Sequence, residues 1–587
     1  MLKKRVTIND SGRGMKWPTP SISPVLFLLF AGLYVIFIAR TTFFYKGQFI
    51  GTLFDDALIS LRYGFNFSSG FGLVWNRGEI PPVEGYTNPL WTLVMSVASL
   101  ISPVLKAPII VSGIGGLIML SSGYVSVRIA RLVNATPAAA IASAFLVLSF
   151  FPIVFWTLRG MEVGLICLLL LTATARVLDT SADGQATGTI SIVSVLAGLS
   201  FLTRPDSLLL FLPIFALLLV QPGLSLRRLV ALAPLVICMI AQVIFRWYYY
   251  GELLPNTYVL KMTGTPLFER LLHGWHALLY AAPAIFITAI IAGSVFGDNQ
   301  TPPAQRRLAF ISVSGAFLQS CYLVWVGGDA WNFDNSNRFI ATVMPLLLIA
   351  AATRLPTVTN DIRNKNVAHI LFGIFALAGG ASLALTDHFA LGPKSNLLAV
   401  TGVILLCIWP ALVSRTGRLG SVGWIFSTAG IGWLSLFLLC SGPAWVRWLH
   451  HNAPAVRDDI VFARQGLLLR DILPPTTTIA ATWLGAPSYY SGFTSFDILG
   501  KTDKRIARTK PLLDFHPGHN KMDLNYSIGD LQPDVVLLNT PEIAKFGYIH
   551  MRNSLWVRTG FLQTLGNESR LDRSWCSNSD ESSYCPK

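Results

Sequence analysis

Residues 54–91 read FDDALISLRYGFNFSSGFGLVWNRGEIPPVEGYTNPLW, a polar stretch between two strongly apolar segments. Asp55 and Asp56 open a short amphipathic helix that we expect to run to about Phe67, with Asp55 and Arg62 on one face. Carboxylates in a first helical turn are favoured by the helix dipole and tend to stay ionised. The Gly and Pro residues that follow predict a folded loop. The rest of the chain is therefore interpreted as a scaffold that holds this loop at a bilayer surface.

The composition excludes an ordinary soluble protein. Of 587 residues, 53% are hydrophobic and only 13% are charged, and the mean hydropathy is +0.55. Apolar runs of roughly 18–23 residues recur, which is the length that crosses a bilayer as a helix. The fold class predicted is a polytopic α-helical membrane protein. The net charge of +15 lies mainly in short loops between the spans, so we expect a lipid bilayer and no nucleic acid as partner.

The basic loops also predict the topology. Residues 1–23 form a cytoplasmic N-terminus, 24–444 a transmembrane domain with a first outer loop over 45–90, and 445–587 a domain outside the membrane. Counting 90–105 as a helix in the outer interface keeps most basic loops inside. About thirteen spans result, near 24–41, 108–130, 137–157, 162–179, 187–203, 207–221, 229–248, 277–297, 308–327, 338–354, 368–387, 396–414 and 421–441.

This topology brings short polar clusters at span ends to the outer face. Their members are Glu162, Arg204, Asp206, Asn256, Lys261, Asp329 and Arg338. Charged groups that face hydrocarbon cost several kcal/mol, so such groups normally line a polar cavity. Each is also consistent with a blander role, either as a helix cap or, for Lys and Arg, as an anchor in the lipid head groups.

The C-terminal residues 445–587 are more polar. Runs over 478–483 and 534–539 are typical of strands, and stretches that could be helical follow both, so a small α/β domain is predicted. Cys576 and Cys585 near the end either form a disulfide or remain two thiols. His516 and His519 are weak evidence for a metal site, because no Cys or paired carboxylate flanks them. No cofactor is required, although a divalent metal is compatible with the sequence.

Several motifs together resemble one family. They are Asp55–Tyr63 with Asn66, Gly70, Gly72 and Asn76, then Glu84–Trp91, Arg159–Glu162, Leu202–Asp206, Tyr250–Tyr258, Gly327–Asp329, Leu499-Gly500 and Pro517–Lys521. In this order they resemble the GT-C membrane glycosyltransferases, in particular the mycobacterial terminal β-(1→2) arabinofuranosyltransferases and related bacterial enzymes that use polyprenyl-phosphate sugars. The resemblance covers most of the chain.

The resemblance implies a function for the first outer loop. Such enzymes transfer a sugar, here most naturally arabinofuranose, from a polyprenyl-phosphate donor to a cell-envelope glycan or glycoprotein at the outer face of a bacterial inner membrane. Their first outer loop carries an acidic catalytic residue, so Asp55 or Asp56 is the candidate base for the acceptor hydroxyl. The alternative for the pair is a helix N-terminal cap.

Further site residues follow from the same chemistry. A departing phosphate needs cations, for which Lys261, Arg204 and Arg338 are the candidates. Arg62 is expected to pair with Asp55 or Glu84. The remaining candidate substrate contacts are Glu84, Tyr86 and Asn88, which otherwise form a simple turn, and His519 and Lys521, which otherwise lie in a surface turn.

Two alternatives stay open at the level of the sequence. The segment 329–338 is longer and richer in Asn than the turn expected for an arabinofuranosyltransferase, so a hexosyltransferase of the same fold is the first alternative. A polyprenyl-lipid flippase or transporter is the second. It would predict broken or charged elements near mid-span in matching halves, which the chain does not show.

Overall fold

A computed structural model gives the architecture of most of the chain. It describes residues 24–102, 104–180, 186–220, 225–331, 336–361, 441–450, 453, 455–512, 515–552 and 554–565. Several predictions fall outside these residues: the cytoplasmic N-terminus 1–23, the spans near 368–387, 396–414 and 421–441 (apart from residue 441), and the cysteines Cys576 and Cys585.

Most of the described residues before residue 362 are helical. Its helices are α1 Pro24–Ala39, α2 Asp55–Ser68, α3 Pro89–Ile101, α4 Ala107–Leu132, α5 Pro137–Ser149, α6 Phe151–Leu158, α7 Val163–Leu178, α8 Ala186–Thr203, α9 Leu208–Leu219, α10 Leu226–Val230, α11 Ala233–Tyr250, α12 Asn256–Met262, α13 Leu267–Gly293, α14 Pro303–Val326, α15 Arg338–Ala341 and α16 Met344–Asp361. A hairpin of β1 Thr42–Tyr45 and β2 Gln48–Gly51 joins α1 to the first loop.

Several of these helices have the length and composition of membrane spans. Ala107–Leu132, Leu226–Tyr250 and Pro303–Val326 are each long and apolar enough, which gives three candidates, or up to five if two bent helix pairs each count as one span. Six shorter apolar helices, α1 and α3 among them, accompany these candidates in the described residues. An α-helical membrane domain is therefore supported, while the count of about thirteen spans stays a prediction.

One predicted span is not a single straight helix. The span over 137–157 is divided into α5 and α6, which bend by 49° at Phe150. Pro152 stands in the first turn of α6, where its missing N–H and fixed φ suit a helix start and prevent a continuous ladder of hydrogen bonds. A bent pair of this kind can still count as one span, so the span near 137–157 stays a prediction.

The helix predicted at the acid pair is confirmed as α2, which begins at Asp55 and ends at Ser68. Both carboxylates stand in its first turn, and most of its side chains are buried. Gly64 allows α3 to pack closely, because a Cβ there would lie 2.9 Å from backbone atoms of Thr92 and Ser96. The helix is thus an internal element of the loop rather than a surface helix.

The C-terminal part contains α17 Gly442–His450, α18 Val456–Ile472, β3 Thr478–Ala481, α19 Gly485–Ser491, β4 Thr494–Asp497, β5 Val535–Leu537, β6 Tyr548–Arg552, β7 Leu555–Arg558 and α20 Thr559–Leu565. Its strands form a mixed five-stranded sheet in the order β4-β3-β5-β7-β6. The two predicted strands are confirmed as β3 and β5, which are parallel neighbours. A small α/β domain is present, and its position outside the membrane stays a prediction.

A buried ion pair fastens this domain to the loops between the helices. Arg159 follows α6 and contacts the carboxylate of Asp459 in α18, and both side chains are inaccessible to solvent. Arg159 also donates to the carbonyl oxygen of Thr52 at 3.1 Å, three residues before the start of α2. Arg159 thus links α18 of the C-terminal domain to the residues just before α2.

Candidate active site

Asp56 is the centre of a group of charged side chains that we call the charged cluster. Its other members are Asp329, Arg338, Lys501 and Lys261. The Oδ1 atom of Asp56 accepts from Lys501 Nζ at 2.6 Å, and its Oδ2 atom lies 3.4 Å from a terminal nitrogen of Arg338. Burial alone would raise the pKa of this carboxyl, but the Lys501 and Arg338 cations outweigh it and hold the pKa of Asp56 below its usual range. About 17% of the side chain stays exposed. Asp56 is therefore an ionised carboxylate that is partly exposed to solvent.

Arg338 joins this carboxylate to a second one. Its Nε lies 2.7 Å from Oδ2 of Asp329, and its NH2 donates to Oδ1 of the same carboxylate at 2.9 Å. Such a two-point contact fixes the plane of a guanidinium more firmly than a single contact does. Asp329 thus orients Arg338 toward Asp56, and the sequence-predicted residues Asp56, Asp329 and Arg338 meet in one place.

Asp55 has a different environment from its neighbour. It is only 4% exposed, and its Oδ1 accepts from the backbone N–H of Ala486 at 2.8 Å. A Cβ at Gly485 would fall 2.0 Å from the Asp55 carbonyl oxygen, so α19 approaches α2 as closely as only glycine allows. Burial raises the pKa of Asp55 to about 6. Asp55 anchors the start of α2 against α19.

Two further predicted residues adjoin the cluster. Lys261 on α12 is half-buried, and burial and the Arg338 guanidinium lower the pKa of its ammonium to about 8. A Cβ at Gly518 would lie 3.1 Å from Cε of Lys261, so the lysine packs on the Pro517-Gly518 turn. On the same turn, burial and the Lys501 ammonium lower the pKa of His519 to about 3, which keeps its imidazole neutral at pH 7.

A second polar group lies deeper between the helices. Glu162 accepts from Asn88 Nδ2 at 3.0 Å and lies 3.4 Å from Arg204, whose guanidinium also contacts both carboxylate oxygens of Asp206 at 2.9 and 3.0 Å. Asn88 Oδ1 in turn accepts from Ser60 of α2 at 3.0 Å. This group therefore holds α2 at Ser60, one turn after Asp56 on a similar face of the helix.

A third group forms around Glu84. Its carboxylate accepts from Arg246 Nε at 2.8 and 3.1 Å, with both side chains buried. Burial raises the pKa of Glu84 to about 7, although Arg246 opposes the rise. The hydroxyl groups of Tyr86 and Tyr250 are 3.0 Å apart beside this pair. These contacts tie the first loop to the end of α11.

Three predicted residues hold the two domains together. Arg62 donates to the carbonyl oxygens of Trp75, Ser488 and Phe493, so the predicted pairing of Arg62 with Asp55 or Glu84 is wrong. The reason is that the C-terminal domain supplies backbone acceptors at that face of α2. The other two are Asn256, whose amide donates to the carbonyl oxygens of Gly500, Lys501 and Asp503, and Lys521, which is fully buried and donates to Thr263 and Ala507.

Sequence reasoning missed three charged partners: Lys501, Arg246 and Asp459. Arg246 carried one local signal, since an Arg one turn from the end of an apolar helix needs a counter-charge. Lys501 follows the Leu499-Gly500 motif, but nothing local shows that it reaches Asp56, 445 positions away. Among the described residues, no group of three or more His, Cys, Asp or Glu side chains could hold a metal ion.

The fold defines a helical protein with candidate membrane spans and a C-terminal mixed sheet. Where the two parts meet, the carboxylate of Asp56 lies between the cations of Lys501 and Arg338. A family model described as a domain of unknown function, DUF8728, matches residues 445–577. The terminal beta-(1->2)-arabinofuranosyltransferase of Mycobacterium tuberculosis (strain ATCC 25618 / H37Rv) is 26% identical over 392 residues, which are 60% of this chain and 61% of that protein. The chain thus spans about three fifths of this curated relative, and the predicted resemblance is confirmed.

Solved structures with a partial likeness are also known. ArnT from Cupriavidus metallidurans bound to undecaprenyl phosphate has a TM-score of 0.46 at 15% identity, with 81% of this chain and 85% of that chain covered. The oligosaccharyltransferase AglB from Archaeoglobus fulgidus, in complex with an inhibitory peptide and a dolichol-phosphate, has a TM-score of 0.43 at 11% identity, with 81% and 64% covered.

Proposed function

We propose that this chain is a membrane glycosyltransferase that moves a sugar, most naturally arabinofuranose, from a polyprenyl-phosphate donor to a cell-envelope glycan or glycoprotein at the outer face of a bacterial inner membrane. The observation that carries the proposal is the ionised, partly exposed Asp56 between Lys501 and Arg338. The similarity to an arabinofuranosyltransferase supports the choice of sugar. A carboxylate beside several cations suits a reaction in which a hydroxyl attacks and a phosphate departs.

Asp56 is the base in this proposal. The acceptor oxygen forms a bond to the anomeric carbon, and the bond from that carbon to the phosphate oxygen breaks. The electron pair of the broken bond leaves with the polyprenyl phosphate, and the hydroxyl proton passes to the carboxylate of Asp56. Asp55, although its pKa is closer to neutrality, is buried under Gly485 and Ala486. A general base must first lie within hydrogen-bond reach of the hydroxyl that it deprotonates, whatever its pKa. The buried Asp55 is therefore assigned a positioning role.

The phosphate belongs beside the cations. Asp56 and Asp329 supply two negative charges and Arg338, Lys501 and Lys261 three positive charges, so the cluster carries a net positive charge that an anion can neutralise. Lys261 is half-buried, and its ammonium is destabilised by burial and by Arg338. A phosphate next to Lys261 would relieve both effects. Arg204 is already paired with Glu162 and Asp206, so we assign it a supporting role and not direct phosphate binding.

The proposal is tested by turnover of the purified full chain. Labelled polyprenyl-phosphate arabinofuranose is supplied with membrane acceptors, and product is followed by mass spectrometry, with a polyprenyl-phosphate hexose in parallel. Transfer of arabinose supports the proposal. Transfer of the hexose alone would show that the donor sugar is a hexose and not arabinofuranose. Movement of intact lipid between leaflets without transfer would overturn the enzymatic proposal in favour of a flippase.

The pH profile distinguishes the two aspartates. Because Lys501 and Arg338 keep Asp56 ionised, we expect wild-type kcat/KM to stay level as the pH falls through 6. Removing one cation raises the pKa of the carboxyl, so Lys501→Met should move the acidic limb upward by about 1–3 pH units. The exposed Lys510 offers the matched control Lys510→Met. A wild-type limb centred near pH 6 would identify Asp55 as the titrating group instead.

Lys261 should govern donor binding. Loss of a charged hydrogen bond costs about 1.5–3 kcal/mol, so Lys261→Met is expected to raise the donor KM about 10- to 100-fold. The pKa of Lys261, lowered to about 8, also predicts that the wild-type donor KM rises above pH 8 as the ammonium loses its proton. Lys545→Met, at an exposed lysine on the C-terminal domain, should leave both quantities unchanged. An unaltered donor KM in Lys261→Met would remove Lys261 from the phosphate site.

A further inference from the structure

Aromatic rings adjoin the charged cluster, and the proposed chemistry does not use them. We call the aromatic wall the group formed by Phe54, Trp331, Phe462, Trp483 and His519. The ring centroids of Trp331 and Trp483 are 5.1 Å apart with a tilt of 42°, and His519 lies edge-to-face with Trp331 at 5.3 Å. Trp331, Phe462, Trp483 and His519 are each half-buried, so each keeps part of its surface accessible. Phe54 is buried, so the accessible part of the wall is formed by the other four rings.

Both the helical part and the C-terminal domain contribute rings to the aromatic wall, which begins next to the acid pair Asp55 and Asp56. Phe54 immediately precedes Asp55 and lies 5.5 Å from Trp331, centroid to centroid. Trp483 stacks on Phe462 of α18 at 5.1 Å and stands two residues before Gly485, which touches the Asp55 backbone. The wall thus continues from the catalytic helix into the C-terminal domain.

His519 connects the wall to the charged cluster. Its imidazole is close enough to Asp56 and Lys501 for their charges to act on it, and its ring meets Trp331 edge-on. Burial and Lys501 keep this imidazole neutral. An uncharged ring at this junction presents a polarised edge to a sugar hydroxyl without adding another cation to the phosphate site.

This combination of surfaces suits a carbohydrate. A sugar ring has C–H groups on its faces and hydroxyls on its rim, so sites for it combine accessible aromatic surface with a few placed polar groups. The cations on α12 and α15 adjoin the helical domain, from which a lipid-linked donor would arrive. Trp483 and Phe462 belong instead to the C-terminal domain.

We propose that the aromatic wall is an acceptor subsite, in which a sugar ring of the acceptor glycan packs on Trp331 and Trp483 while a hydroxyl of that glycan reaches Asp56. This inference rests on the proposed glycosyl transfer and adds to it the chemical class of the acceptor: a saccharide, rather than a bare peptide. Donor recognition depends on the cations, so the two substrates are recognised by different side chains.

The variants are chosen to separate stacking from folding. Trp483→Leu removes the aromatic face, Trp483→Phe keeps one, and Trp331→Leu tests the second ring. Trp247→Leu is the matched control, because Trp247 is 56% exposed on α11 and outside the wall. All variants are compared as the full chain in detergent, with thermal melting as the check on folding. If Trp483→Leu does not fold, Trp331→Leu and Trp483→Phe provide the same comparison.

The kinetic test compares the effect of each variant on the acceptor KM with its effect on the donor KM. Trp483→Leu and Trp331→Leu are expected to raise the acceptor KM about tenfold, which corresponds to the loss of one good aromatic contact. The donor KM and kcat should change less than about twofold, and Trp483→Phe should recover most of the affinity. A change in the donor KM alone, or in kcat alone, overturns the proposal.

A binding measurement keeps this test independent of turnover. An arabinofuranosyl tetrasaccharide is titrated calorimetrically into the wild type and the variants without any lipid donor, and a tetrapeptide serves as the comparison probe. Saccharide binding that is weakened in Trp483→Leu and intact in Trp247→Leu supports the wall even if no donor sugar is ever transferred. Absence of saccharide binding, equal binding by Trp483→Leu, or preference for the peptide contradicts it.

Discussion

Asp56→Asn is expected to lower kcat by about 10²- to 10⁴-fold, because the amide cannot take the proton of the acceptor hydroxyl. The side chain keeps its size, so the start of α2 should stay folded. Lys501 and Arg338 lose a negative partner at 2.6 and 3.4 Å, which also misplaces the cations that receive the phosphate. The measurement is single-turnover transfer from labelled polyprenyl-phosphate arabinofuranose.

Two controls accompany this variant. Asp55→Asn keeps an oxygen that can accept from the Ala486 N–H, so it should lose far less activity than Asp56→Asn. Asp530→Asn changes a carboxylate that is 64% exposed on the C-terminal domain, and it should behave as wild type. Near-native turnover by both Asp55→Asn and Asp56→Asn would exclude the acid pair from catalysis, and an inactive Asp55→Asn beside an active Asp56→Asn would reverse their roles.

Arg159→Met should produce the largest loss of stability in the molecule. It leaves the Asp459 carboxylate buried without its cation, and breaking such a pair costs about 3–5 kcal/mol. Burial raises the pKa of Asp459 well above its usual range, and Arg159 opposes that rise through its charge and its hydrogen bond. Thermal unfolding of the purified protein, followed by circular dichroism, gives the change in Tm.

The double variant identifies the cause of that loss. Replacement of a buried ion pair by apolar residues of similar volume is often neutral, so Arg159→Met combined with Asp459→Leu should unfold at a higher temperature than Arg159→Met alone. Arg505→Met, at an arginine that is 58% exposed, should cost about 1 kcal/mol or less. A double variant as unstable as Arg159→Met would show that packing around Arg159, rather than the unpaired carboxylate, is what matters.

Local patterns predicted the elements that surround the site. The acid pair and the apolar spacing after it gave α2 to within one residue of its end, and β-branched runs gave β3 and β5. These features depend on neighbours a few residues apart, so the sequence contains them directly. The bend between α5 and α6 lies inside the predicted span near 137–157, at a place where Pro152 suits the start of a helix.

Long-range partners behave differently. Arg62 was expected to find a carboxylate, yet it binds backbone carbonyl oxygens of Ser488 and Phe493, more than 400 positions away. Lys501 and Ala486 reach the acid pair only because the C-terminal domain packs on α2. No periodicity in the chain encodes such contacts, since they arise from the packing of two parts that are distant in the sequence.

The sequence by itself determined an apolar helical scaffold, an adjacent acid pair that starts a helix, and a mixed α/β segment at the end, because burial preference and helix-start chemistry act between near neighbours. Only the tertiary structure decided which aspartate is partly exposed and held between cations. That difference has an electrostatic cause: α19 covers Asp55 and withdraws it from water, whereas Lys501 and Arg338 converge on Asp56 from distant parts of the chain.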